Sequence, residues 1–486
     1  MRKILLGTTA VVGAALLAPG AFAQTTQGGG GRVGQGVTVP TAPGTVGVAP
    51  TPLNVGPAAP NTQVTAAPTP AMAGAGGLTI RLGGYFAFTG AAIQDDWDRA
   101  RSRNSVGGVN NANARQRYDF RNDAELNVFI DGRVSNGLTY GAVFEMQMDN
   151  ATAGAADGTT VSFDELYGYI GMQGLGTIRF GQEDSAASLL QVRAPASQAL
   201  GGDAEWDEFI VQNGLADSSP YIMSGINDGS DATKIIYLSP QFAGFDFGLS
   251  FAPNSYEGER TNVPNSTSAQ RDRTSIENEM SAAIRYRGTF GPVGVIAGIG
   301  AMWASAQSEN ALGQPFGAIG NPRPQSVTAY TGGLVLTGYG FSVGGEYTFG
   351  QYGGASVGRR ALNAGIDDSQ HYLLGATYTV GPFVLGAVFG QGTQGNGVAR
   401  TGTAAAPVFT DLDDRKQTLW GVGVAYNLAP GLVLFGLYNN INDENVPTAV
   451  ATNARYTGGT GTPLASFNGS NTRTINIGVL GVRLAF

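Results

Sequence analysis

The sequence predicts an all-β fold, a transmembrane antiparallel up-and-down barrel of about sixteen strands with long loops on one side and short turns on the other. Between Leu78 and Phe486, segments of about 10 to 13 residues rich in Val, Ile, Leu, Phe and Tyr recur between turn residues, matching a tilted spanning strand of roughly 9 to 11 residues. Within many of them polar residues return at every second position, which puts polar side chains on one face and lipid-compatible ones on the other. The connectors alternate between short and long, as in a barrel with both chain ends on the side of the tight turns.

Taken from the beginning, Met1, Arg2 and Lys3 precede an apolar stretch from Ile4 to Leu17, and Ala21-Phe22-Ala23 stands before Gln24. These are the three parts of a secretory signal, so residues 1–23 are expected to be removed. The apolar stretch is shorter than the roughly 20 residues of a spanning helix. Residues 24–77 are rich in Pro, Ala, Thr, Gly and Val, with Arg32 the single charge. Such a segment buries too little apolar surface to offset the entropy of ordering, and is expected to be a disordered extension. The barrel domain is then 78–486.

Its strands are expected at 78–90, 120–132, 137–149, 161–173, 175–184, 233–239, 243–252, 276–288, 292–304, 326–337, 339–350, 370–380, 382–391, 416–428, 431–440 and 473–486. In the first, Ile80, Leu82, Phe86 and Phe88 share one parity, and Thr79, Arg81 and Tyr85 the other. In the second, Arg121, Asp123, Glu125, Asn127 and Asp131 oppose Ala124, Leu126, Val128 and Ile130. Polar residues inside and apolar ones outside imply a wet interior, the reverse of a soluble barrel. The alternation fails in Val384 to Phe389 and in Leu432 to Phe435, strands expected to pack against another subunit or to face a loop. Aromatics near strand ends, Tyr140, Tyr167, Tyr169, Tyr237, Tyr286, Trp303, Tyr339, Tyr378, Trp420 and Tyr426, are expected in interfacial girdles.

Composition excludes several classes. The 75 glycines, 18 tyrosines and 23 phenylalanines, with 13 % charged residues, suit strands and tight turns better than a soluble enzyme of 486 residues. With no cysteine, neither a disulfide framework nor a Cys-ligated metal is available. The net charge of -8 argues against nucleic acid as a partner. Beyond the signal the only lysines are Lys234 and Lys416, so the positive charge is almost all arginine, which stays charged when buried.

Three stretches resemble the trimeric general porins of Gram-negative bacteria, in their alphaproteobacterial form. They are Arg81-Leu82-Gly83-Gly84-Tyr85-Phe86, the run from Glu165 to Gln182 with its central Gln173-Gly174 turn, and the terminal strand Val479 to Phe486. The second resembles the strand, glycine turn and strand before the family's constriction loop; the terminal Phe486 resembles the signal read by the barrel-assembly machinery. The extension at 24–77 departs from the family pattern. The resemblance implies an outer-membrane location, contact with outer-membrane lipid, a homotrimer, and a water-filled channel for passive diffusion of small hydrophilic solutes and ions.

In that family the third long loop folds into the barrel and sets acidic residues opposite a ladder of arginines. The matching loop here runs from about Asp184 to Thr233 and carries Asp203, Glu205, Asp207 and Glu208 around Trp206, with Arg193 nearby. By strand parity, Arg81, Arg121, Arg179, Arg285 and Arg483 are expected on the facing wall. Opposed charges across a narrow aqueous gap order water and favour polar solutes. Net acidity suggests a mild cation preference.

Competing expectations are a substrate-specific channel and a plugged structural or adhesin barrel. Barrel hydrolases commonly require a histidine base. The single His371, beside Asp367 and Asp368, is expected to be incidental, so no catalysis is expected. No cofactor is expected either; Asn227 to Asp231 and Asp411 to Asp414 offer oxygen ligands for Ca²⁺ without the spacing of a dedicated loop.

Overall fold

In hydrocarbon every backbone N–H and C=O must find a partner within the protein, which only a closed sheet supplies for strands. The computed structural model shows how this chain closes one. It describes residues 72–73, 77–96, 116–148, 162–196, 206, 209–210, 232–254, 276–306, 308, 325–352, 369–394, 398–403, 406–411, 413–445 and 472–486. The signal segment and nearly all of the extension lie outside the described residues.

The barrel strands are β1 Thr79–Asp95, β2 Tyr118–Arg133, β3 Leu138–Gln147, β4 Ser162–Met172, β5 Gly176–Gln182, β6 Thr233–Leu238, β7 Phe245–Asn254 and β8 Glu277–Phe290. They continue as β9 Val293–Ser305, β10 Val327–Gly338, β11 Phe341–Gln351, β12 Ser369–Val380, β13 Phe383–Gln394, β14 Arg415–Ala429, β15 Leu432–Glu444 and β16 Arg473–Ala485. Each pairs antiparallel with its neighbours in sequence, and β16 pairs with β1 from Ile475 opposite Asp95 to Ala485 opposite Tyr85. All sixteen segments expected from the sequence form strands, with ends shifted by at most five residues.

Tight turns close one rim. Tyr339 and Gly340 take φ of 53° and 84°, and Ala243 and Gly244 take 49° and 91°, consecutive left-handed residues as in the turns that match strand twist. At the same rim Phe486 exchanges backbone hydrogen bonds of 3.0 and 3.1 Å with Gly84, which ties the C-terminus to the first strand.

Three features differ from expectation. The connector from Gly392 to Asp414 is not all loop: Val398–Thr403 and Ala406–Asp411 form a separate hairpin. The loop after β5 opens with a short helix, α1 Ala186–Leu189. Tyr167 and Tyr169 do not join a girdle; both are buried inside the barrel, because they share the parity of Glu165 while Ile170 takes the outward one.

The remaining girdle aromatics face outward or, for Tyr339, cap a turn. Near the tight-turn rim Phe341 stacks on Tyr378 at 4.3 Å and Phe383 lies 4.8 Å from Tyr426. Near the loop rim Tyr330 stacks on Phe349 at 5.3 Å, and Trp420 lies 5.3 Å from Tyr438. The eight residue-to-residue steps from Phe341 to Phe349, at about 3.4 Å each on a strand tilted about 40°, separate the two rings by roughly 20 Å, the scale of an outer-membrane apolar band. Between them the outer face is apolar, with Leu334, Leu336, Val343, Leu374, Leu385 and Val422 all exposed.

At the loop rim β14, β15, β16 and β1 share a buried ion network. Arg415 donates to both oxygens of Asp443 at 2.8 and 2.7 Å, and Arg473 lies 3.5 Å from Asp443 and 3.3 Å from Asp95. Removing one partner of such a pair strands a buried charge at a cost of about 3–5 kcal/mol. Asp443→Ala is therefore expected to destabilise the barrel by about that amount. Urea unfolding from lipid vesicles is the check, and an unaltered midpoint would show that the two arginines find other counter-charges.

Candidate channel constriction

The loop from β5 to β6 turns into the barrel. Glu183, Asp184 and Ser185 follow β5 directly and are buried. Arg179 donates to the Glu183 carboxylate at 3.0 Å, and the Lys234 ammonium donates to the Glu183 backbone carbonyl. Ser185 then caps α1, its hydroxyl accepting from the Ser188 N–H at 3.2 Å. The first free N–H groups of this turn need acceptors. Ser250 of β7 and Ser281 of β8 supply them, accepting from Ala186 and Ala187 at 3.1 Å each, while their own hydroxyls meet at 2.6 Å.

From there the loop follows the inner wall. Ala187 packs with Ile276, Met302, Ala329 and Tyr352, and Val192 with Ile296 of β9 and Val335 of β10. Gln191 donates to Glu346 of β11 at 3.4 Å. Ala196 joins Val384, Ala425 and Val433 of β13, β14 and β15. Farther on, Trp206, Phe209 and Ile210 pack on an inward apolar patch that includes Leu373, Val388, Leu419, Ile441, Ile475 and Ile93. This explains the strands whose alternation fails: Val384, Val388 and Val433 point inward at the loop, while Leu385, Phe389 and Leu434 point outward.

Asp203, Glu205, Asp207 and Glu208 lie outside the described residues, although Trp206 among them is buried against the wall. The five arginines sit on the inward faces of their strands, in three places. Arg81, Arg121 and Arg483 occupy the adjacent strands β1, β2 and β16; Arg179 is on β5 and Arg285 on β8. Four stand beside carboxylates. Arg81 pairs with Asp131 at 2.8 Å, and the same Asp131 accepts from Tyr169 at 2.5 Å. Arg121 lies 3.9 Å from Asp123, Arg179 meets Glu183, and Arg285 holds Asp246 at 2.7 Å with Arg287 beside it at 2.9 Å. Arg483 differs. It is 2 % exposed, its guanidinium carbon sits 3.6 Å from the Tyr85 ring centroid, and no hydrogen-bond acceptor reaches it among the described residues.

Sequence parity missed part of the wall. A bulge in the β3–β4 ladder turns both Asp164 and Glu165 inward, where they oppose Glu145, and Gln147 donates to Asp164 at 2.9 Å. Two consecutive inward residues cannot be read from a period of two. Glu346 stands out only as an acid in the otherwise apolar and glycine-rich Val343 to Tyr347. His371 points inward, its Nδ1 2.7 Å from the Tyr352 hydroxyl; Asp367 and Asp368 lie outside the described residues. Asn227 to Asp231 also lies outside, and the described residues hold no group of three His, Asp or Glu side chains suited to a metal.

A Gram-negative porin family model matches residues 61–446. The chain belongs to the Gram-negative porins. It is an outer-membrane protein that forms a channel for passive diffusion of solutes. No curated protein matches it. Among solved structures it is similar to an anion-selective porin from Comamonas acidovorans, with 15 % identity over 84 % of this chain and 100 % of that one and a TM-score of 0.48. It is also similar to the outer-membrane channel DcaP of Acinetobacter baumannii, with 11 % identity, 86 % and 99 % coverage and a TM-score of 0.46. A triple mutant of Rhodopseudomonas blastica porin shows 15 % identity, 84 % and 100 % coverage and a TM-score of 0.44. The family assignment of this porin rests on the family match.

Burial pushes the Glu183 carboxyl up to about 7, against the opposing pull of Arg179 and Lys234. Below its ordinary value of 4.5 the buried and exposed forms are both protonated. As pH rises from there towards 7, a solvent-exposed Glu183 ionises first and the docked loop loses relative stability. The porin is therefore expected to lose thermal stability in detergent across this interval more steeply than a Glu183→Gln variant, which still accepts from Arg179 and does not titrate. Identical slopes in the two proteins would remove Glu183 as the cause.

Proposed function

We propose that this porin is a general diffusion channel for small hydrophilic solutes and ions, narrowed by the loop between β5 and β6. The observation that carries it is the course of that loop, packed on the inner wall from α1 at β6 to β9 through to Trp206 against β12, β14, β16 and β1. Asp203, Glu205, Asp207 and Glu208 belong to the same loop, between Ala196 and Phe209. Ala196 packs on Val433, the register partner of Arg483, which supports an acidic segment facing the β16, β1 and β2 arginines. A loop held on one side leaves the rest of the lumen, with Arg81, Asp131 and Arg121 partly exposed, to water. The chain acts as a channel without catalysis, is exported by a cleaved signal at residues 1–23, and assembles as a homotrimer; family resemblance supports the last. Its acidic loop gives a mild cation preference.

Reversal potentials across planar bilayers under a salt gradient test this. The wild type is expected to favour cations, and the combined Asp203→Asn, Glu205→Gln, Asp207→Asn and Glu208→Gln variant to lose at least about half of its cation-to-anion ratio, roughly 0.4 kcal/mol, a small demand on four charges beside a narrow path. An unchanged reversal potential would put the constriction elsewhere.

A further inference from the structure

We propose that Glu346 is the positioning residue that keeps the constriction loop flat against the channel wall, at the centre of a saddle formed by β10, β11 and β12. This rests on the reading of that loop as the constriction. Gly333 of β10 is the register partner of Glu346, and Gly375 of β12 is the register partner of Gly344, two residues before Glu346 on the same inward face. The chain from Gln191 to Pro195 crosses this stretch at backbone distance. A Cβ on Gly333 would lie 1.9 Å from the Val192 carbonyl oxygen, and one on Gly375 would lie 1.7 Å from that of Pro195. Neither position tolerates a side chain with the loop in place.

Strand backbone inside a closed barrel has spent its donors and acceptors on the ladders, so a chain lying on it must find side-chain partners. Glu346 supplies one between the two glycines. It accepts from Gln191 Nε2 at 3.4 Å, and the charge of Arg193, from the same stretch of loop, acts on its carboxylate and on His371. A carboxylate that merely lined the channel would face water. Glu346 is 3 % exposed.

Single-channel recording of the full-length protein in planar bilayers is the test. Loss of a charged acceptor is expected to lower the ratio of docked to undocked loop roughly tenfold or more, read as flicker between conductance levels in Glu346→Ala. Glu346→Gln, which still accepts from Gln191 but offers Arg193 no charge, should fall between it and the steady wild type. Gly375→Ala should flicker as well, because its methyl group displaces Pro195, and it carries the test if the Glu346 variants do not fold. In this cysteine-free chain a disulfide between Val192→Cys and Ile296→Cys, neighbours in one packed cluster, should silence the flicker of Glu346→Ala, and reductant should restore it. A merely misfolded barrel would not respond to that bond. Steady current in Glu346→Ala and Gly375→Ala, or flicker that the disulfide leaves untouched, overturns the proposal. If the four-acid variant still shifts the reversal potential in that case, only the latch has failed; if it does not, the constriction has.

Discussion

Closure of the sheet between β16 and β1 is the constraint on which the other features rest. An open edge in hydrocarbon would leave a row of unpaired backbone groups, each costing several kcal/mol, so the last strand must meet the first in register. The pairing of Ala485 with Tyr85 and the exchange between Phe486 and Gly84 complete it at the tight-turn rim. Once the ring is closed, side chains along each regular stretch of strand fall into two series: one meets lipid and the other the lumen. The outward series is therefore apolar and bounded by aromatics at both rims, and the inward series is free to carry charge.

The inward series is divided by what it meets. Along β2 to β5 it carries Asp123, Glu125, Glu145, Asp164, Glu165 and Arg179. From β12 round to β1 it carries Leu373, Val388, Leu419, Ile441, Ile475 and Ile93, which would be a poor lining for a water path. The loop residues Trp206, Phe209 and Ile210 cover that patch, so the apolar part of the wall is spent on anchoring the loop, and the partly exposed Arg81, Arg121 and Asp131 remain for water. Above the patch, Arg415, Asp443, Arg473 and Asp95 satisfy one another where water is excluded. A buried network of this kind contributes little to net stability, because its attraction mainly offsets the cost of taking the charges out of water.

Strand number, order and most of the inward parity were legible in the sequence because period-two patterning and turn residues are local signals. The inward parity of Arg81, Arg121 and Tyr85 follows from their neighbours alone. What was not legible depends on contacts distant in the chain or on a broken period. Tyr167 and Tyr169 were misread because strand-end aromatics commonly face the interface, whereas here they follow Glu165 into the lumen beyond a bulge. The bulge at Asp164 and Glu165 arises from pairing with β3, and nothing within β4 announces it. Val384 and Val433 read as exceptions until the loop from another part of the chain is laid over them. The hairpin from Val398 to Asp411 was hidden by its weakly apolar, threonine- and alanine-rich composition.

The glycine content follows from the same geometry. A strand glycine is usually a weakness, since it adds entropy to the unfolded chain and offers nothing to pack. In β9 to β12 the missing side chains are replaced from both sides. Inside, the loop carbonyls of Val192 and Pro195 fill the places above Gly333 and Gly375. Outside, Ala297, Gly332 and Gly345 line an apolar groove of about 650 Å³ together with Tyr286, Tyr347 and Leu374. The wall there is little more than backbone thick, so contacts that side chains supply elsewhere must come from the loop on one face and from the membrane on the other. Substituting larger residues would thicken the wall but push the loop off it, and so the glycines of this stretch also determine where the loop lies.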